Sequence, residues 1–123
     1  MNNTGDEKLA VFEKLKANLA KYSSSMSVEK DSSDNFYLNT QRPDSKNKPR
    51  FFGAVQIKKN HVSYHLMPIY CNPALIEPIS ASLRKRMQGK SCFNFKSVDD
   101  ALFDELAALT KAAFDDYFEQ GFV

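Results

Sequence analysis

Hydrophobic and polar positions alternate most regularly between Phe51 and Met67, in the run FFGAVQIKKNHVSYHLM. This alternation predicts two antiparallel strands joined by a two-residue turn at Lys59-Asn60. Folding the segment at that turn sets Lys58 opposite His61, Ile57 opposite Val62, Gln56 opposite Ser63 and Val55 opposite Tyr64. One face then carries Val55, Ile57, Val62, Tyr64 and Leu66; the other carries Ala54, Gln56, Lys58, His61, Ser63 and His65. A sheet buried on one side reads this way.

Upstream, Thr4-Gly5-Asp6-Glu7 has the form of a capping box, which starts a helix near Gly5. Val11, Phe12, Leu15, Leu19 and Tyr22 continue it as an apolar stripe, and Ser23-Ser24-Ser25 ends it. Two short strands, Met26–Lys30 and Phe36–Leu38, flank turn chemistry at Asp31-Ser32-Ser33-Asp34. Residues 39–49 are polar, with Pro43 and Pro49, and predict an exposed loop.

Downstream, Asn72-Pro73 marks a helix start that Pro78 interrupts, so a helix is expected from about Ile79 to Gln88. Ile76, Ile79, Leu83 and Met87 share its apolar side, and Gly89 supplies a left-handed stop. Ser91 to Phe95 reads as a fifth strand, Phe93 and Phe95 inward, Cys92 and Asn94 outward. Ser97 is the expected cap of a last helix with Asp99 and Asp100 in its first turn. Leu102, Leu106, Leu109, Ala113 and Tyr117 form one stripe on it, and Phe103, Phe114 and Phe118 a second. The order predicts an α+β, two-layer sandwich: one domain over 1–123, an antiparallel sheet of about five strands, and N-terminal, middle and C-terminal helices mainly on one face.

Composition adds an aromatic core supply, ten Phe and five Tyr without Trp, to an ordinary balance of 42% hydrophobic and 26% charged residues. No apolar run approaches the ~18 residues of a membrane span. The first residues lack the basic-then-apolar pattern of a secretion signal, so cytoplasmic residence without membrane contact is expected. Cys71 and Cys92 lack CxxC spacing and read as free thiols. Charge is uneven. Ten basic residues face two acidic ones between 42 and 90, and one basic faces seven acidic between 97 and 123, within a net +2.

The outward-facing Gln56, Ser63 and His65 are the candidate ligand-binding residues. Four strand positions put His61 and His65 about 13 Å apart, too far for unforced sharing of one metal ion. Arg84, Lys85 and Arg86, with Lys90, form a candidate anion-binding group; Arg42, Lys46, Lys48 and Arg50 of the 39–49 loop would add charge. Near-balanced total charge disfavours nucleic acid as the partner. Asp115, Asp116 and Glu119, extended by Asp100 and Asp104, form a candidate carboxylate ridge on the last helix. No GxSxG, GxxxxGK[ST], GxGxxG or HExxH motif occurs, and Gly is scarce at four residues. A Cys71/His65 or Cys92/His61 nucleophile pair would depend on folding to bring it together.

From Phe51 onward the chain resembles the YdhG-like family of bacterial domains of unknown function. The resemblance is carried by FFGAVQIKKNHVSYHLMPIY, NPALIEPISASLRKRMQGK, SCFNF and VDDALFDELAALTKAAFDDYF. It implies a small α/β sandwich related in shape to frataxin, and some members are called iron chaperones. Frataxin-like iron binding uses exposed acids near the first helix and sheet edge. Here the first helix offers Asp6, Glu7 and Glu13 interleaved with Lys8, Lys14 and Lys16, so no metal-site residue is carried over.

Together these readings lead to a non-enzymatic, cytoplasmic binding or interaction module without a cofactor, its partner a small molecule or a protein. The ligand is expected on the exposed sheet face or in the cleft beside the 39–49 loop. The alternatives are a metal chaperone acting through the last helix and a basic-patch anion binder. A monomer and a homodimer joined at Phe118 and Phe122 both fit the sequence.

Overall fold

A computed structural model describes the backbone of residues 4–43 and 49–123, and the side chains of residues 7–41 and 50–123. The chain runs α1 (Thr4–Ala20), a 3-10 turn (Ser23–Ser25), β1 (Met26–Asp31), β2 (Asn35–Pro43), β3 (Pro49–Ile57) and β4 (Val62–Leu66). It continues through α2 (Met67–Cys71), a 3-10 turn (Pro73–Ile76), α3 (Ala81–Arg84), β5 (Met87–Gln88), β6 (Cys92–Phe95) and α4 (Asp100–Glu119). Among the described residues six strands form one sheet in the order β1-β2-β3-β4-β6-β5, with every pair antiparallel.

The alternation of the central hairpin becomes its observed register: Val55 pairs with Tyr64, Gln56 with Ser63 and Ile57 with Val62, and Lys58 N donates to His61 O at 2.7 Å. The inward face of the sheet (Phe36, Leu38, Val55, Val62, Tyr64, Leu66, Phe93, Phe95) packs against α1 and α4 in one core. Val11, Phe12, Leu15 and Leu19 of α1 are fully buried. At ~1.5–3 kcal/mol per buried large apolar side chain, that stripe holds the helix to the sheet far more strongly than its own propensity would. Lys8 at the start of α1 donates from Nζ to the carbonyls of Lys58 (3.1 Å) and Lys59 (2.9 Å), tying the helix to the hairpin tip. The Thr4 side chain of the expected capping box lies outside the described residues.

A sixth strand is one of several corrections. The helix expected over 79–88 is only the short α3, capped by Ser80 Oγ, which accepts from Leu83 N at 3.1 Å. Met87 and Gln88 leave it to pair with Phe93 and Cys92. Gly89 does take positive φ, +77°, but in the β5–β6 turn, where β-hairpin geometry needs it. The loop expected over 39–49 is largely strand: β2 runs to Pro43 and β3 begins at Pro49, and Thr40 is buried with its Oγ1 accepting from Arg50 N at 3.0 Å. Polarity there reflects pairing that satisfies the backbone without apolar side chains. Residues 44–48, with Lys46 and Lys48, lie outside the described residues, as does the Arg42 side chain. The last helix is capped by Asp99, whose Oδ1 accepts from Leu102 N at 3.2 Å, and not by Ser97.

Register also shifts between Leu38 and Asn39, so that Leu38 faces Gly53 while Asn39 faces Phe51. The extra residue re-phases β3. Phe52 turns fully into the core, edge-on to Tyr117 at 5.7 Å, and Phe51 stands half-buried on the opposite face. Among the described residues no helix is long and apolar enough to cross a membrane.

Candidate functional site on the open sheet face

Period-two geometry carries the outward residues of β2, β3, β4 and β6 into two cross-strand rows. One row is Asn35–Gln56–Ser63–Asn94, and the next is Tyr37–Ala54–His65–Cys92. In the first, Gln56 Nε2 donates to Asn35 Oδ1 at 3.3 Å. Ser63 is buried as its floor. In the second, Ala54 is buried between taller neighbours. The re-phased Phe51 joins this row: its ring stacks on Tyr37 at 4.6 Å and meets the His65 ring edge-on at 5.0 Å. Tyr37, Phe51 and His65 thus make an aromatic ridge beside a strip of amide and hydroxyl groups.

Gln56, Ser63 and His65 therefore do come together, Gln56 directly opposite Ser63 and His65 two positions along β4. His65 Nε2 lies 2.7 Å from Ser91 Oγ, and half-burial pushes its pKa below the ordinary imidazole value. Its cross-strand partner is Cys92, a pairing different from either expected nucleophile pair. Burial pushes the Cys92 thiol up, with nearby Lys58 opposing. A protonated thiol beside a neutral imidazole is a poor nucleophile pair. Tyr37, Phe51, Asn35 and Asn94 were not among the expected site residues. The alternation of β2 and β6 already set three of them outward; Phe51 needed the bulge.

The basic group does not act as one. Arg84 Nη2 donates to Ile76 O at 2.8 Å, and Lys90 borders a mostly apolar hollow of about 410 Å³ with Ile69, Tyr70, Ile76 and Met87. Lys85 and Arg86 instead border a polar pocket of about 290 Å³, together with His61, Gln88, Asn94 and Lys96. His61 and Lys96 were missed because they come from other strand ends. Arg50, assigned to the loop, lays its guanidinium 4.0 Å from the centre of the Phe122 ring.

Three of the five carboxylates of the expected ridge, Asp100, Asp115 and Asp116, are engaged by neighbours. Asp115 pairs with Lys111 at 2.8 Å and Asp100 with Lys14 at 3.2 Å; Asp116 accepts from Asn72 at 3.0 Å and Gln120 at 2.6 Å. Among the described residues no three of His, Cys, Asp and Glu gather as a metal site. Phe118 is exposed, whereas Phe122 packs edge-on to Tyr117 at 5.2 Å. Comparison of the chain with known protein families, curated proteins and solved structures yields no match.

Proposed function

We propose that the protein is a non-enzymatic binding domain whose ligand lies on the open face of the sheet. One observation carries this reading. Among the described residues, the centre of that face holds amides, a hydroxyl and half-buried rings in register, while charged side chains stand at its margins, Lys30 of β1 opposite Tyr37 and Arg86 beside Asn94. A sheet face that merely meets water is usually covered by charged and hydroxylic side chains. Amides both donate and accept, so the row Asn35–Gln56–Ser63–Asn94 suits a ligand with a mixed hydrogen-bonding edge. The ridge beside it suits the ligand's flat apolar body.

A thermal-shift screen of the full chain against small polar metabolites tests the proposal. At a hundredfold excess over its dissociation constant, a true ligand stabilises the protein by about 2.7 kcal/mol. Gln56→Ala and Tyr37→Ala, each at a half-exposed position, are expected to remove most of that shift while leaving the free protein folded. A hit that persists undiminished in both variants, or a screen without hits, overturns the reading.

A further inference from the structure

We infer that the pocket bordered by His61, Lys85, Arg86, Asn94 and Lys96 is an anion site for the phosphate group of a phosphate monoester, the rest of which lies on the sheet face; that placement of the remainder rests on the function proposed above. The pocket is built by three separate stretches of chain. His61 enters from the β3–β4 turn, Asn94 from β6 and Lys96 from just after it, and Lys85 and Arg86 from the turn between α3 and β5. Asn94 N donates to Arg86 O at 2.8 Å, which pins the root of the arginine to the strand beside it.

Charge sets the ligand class. The residues lining the pocket include Lys85, Arg86 and Lys96 and no carboxylate. None of these three cations makes an ion pair or side-chain hydrogen bond with another described residue. Like charges held near one another without a counter-charge repel, and an anion relieves that repulsion. Three cations, an amide and an imidazole contributed by three stretches of chain exceed what a carboxylate's two oxygens serve well. They match a phosphate monoester, with three acceptor oxygens and nearly two negative charges at neutral pH.

Size favours a small molecule over a polymer. About 290 Å³ is at the lower end of ligand sites, enough for a headgroup and part of its attachment. A nucleic-acid surface would need its cations along a groove that tracks a backbone. Asn94 is shared with the polar row, and strand spacing puts it about 8 Å from His65, so one small ligand spans both.

NMR titration of the full chain with inorganic phosphate, phenyl phosphate, acetate and a ten-residue oligothymidylate reads each part separately. Inorganic phosphate is expected to shift the Asn94, His61 and Arg86 side-chain signals alone, and acetate to do so at least tenfold more weakly. Phenyl phosphate is expected to move those signals and the rings of Tyr37 and Phe51. Arg86→Ala should weaken phosphate binding about tenfold. Arg84→Ala, which removes a charge outside the pocket, should change it less than about twofold at 0.15 M salt.

Equal responses to acetate and phosphate, or silent pocket signals with both phosphates, overturn the anion site without touching the sheet-face reading. Pocket shifts without ring shifts support the anion site and overturn the placement of the ligand body. Oligothymidylate binding more than tenfold tighter than phenyl phosphate overturns the small-molecule assignment in favour of a nucleic-acid strand.

Discussion

Gly53 sits where β3 passes closest to its surroundings. A Cβ built there would lie 2.8 Å from the backbone oxygen of His65, with Leu19 Cδ2 at 3.2 Å and Leu66 Cδ2 at 3.3 Å. The leucines can give by a few tenths of an ångström, but a strand carbonyl cannot move without disturbing the sheet. Gly53→Ala is therefore expected to lower stability by about 2 kcal/mol, although Ala ordinarily stabilises an extended position relative to Gly. Chemical denaturation with an unchanged slope measures this; a neutral or stabilising result contradicts the close packing. The same stretch shows how far individual residues were legible. Alternation from Ala54 to Leu66 gives each side chain its correct face. It fails at Phe52, the extra residue of the Phe-Phe-Gly run, and composition alone does not announce a bulge. One of the three rings of the aromatic ridge, Phe51, was hidden for that reason.

At the scale of elements, β4 and α4 are joined by more than apolar contact. Tyr64 OH lies 2.6 Å from Thr110 Oγ1, and the Thr110 hydroxyl donates to Leu106 O at 2.7 Å, so Tyr64 is the donor to Thr110. Both residues have no measurable exposure, and burial pushes the Tyr64 hydroxyl pKa strongly upward, keeping it a donor at all working pH values. Thr110→Val leaves a buried phenol without a partner and is expected to cost about 1–3 kcal/mol. Tyr64→Phe removes the phenol itself and is expected to cost about 1 kcal/mol or less. The double variant should be more stable than the sum of the two losses predicts, and a double-mutant cycle by thermal or urea unfolding checks it. Strict additivity contradicts the bond.

Long, strongly periodic elements such as α1 and α4 were legible from their stripes. The stretch 67–88 was not. Its apolar positions fit a helix, but Pro73 and Pro78 divide it into segments too short for periodicity to identify, and pairing with β6 captures Met87 and Gln88. Since the basic residues of the pocket leave from this stretch, the split of the arginine-lysine group was equally invisible. Residues 39–43 and 49–50 failed differently: a polar strand that pairs through its backbone has no hydrophobic signature.

For the molecule as a whole, His65 makes global stability pH-dependent. Burial holds its folded pKa below the ordinary 6.5, so between those two values the unfolded chain binds a proton that the folded protein does not. This contribution is complete above pH 6.5 and is lost as pH falls through the folded value. Unfolding free energies measured from pH 7.5 downward should decline more steeply in the parent protein than in His65→Gln. Parallel curves would contradict the assigned burial.

The clamp from Lys8 onto Lys58 and Lys59 has a bearing on how the molecule breathes. An exposed helix start and an exposed hairpin tip would each fray alone, at little free energy and on unrelated clocks. Tethered, they are expected to open together, with matched amide-exchange protection at the two sites as the check. His61 follows that tip within a few residues, so the wall of the anion pocket inherits the steadiness of the amino-terminal turn, across a gap in sequence of about fifty positions.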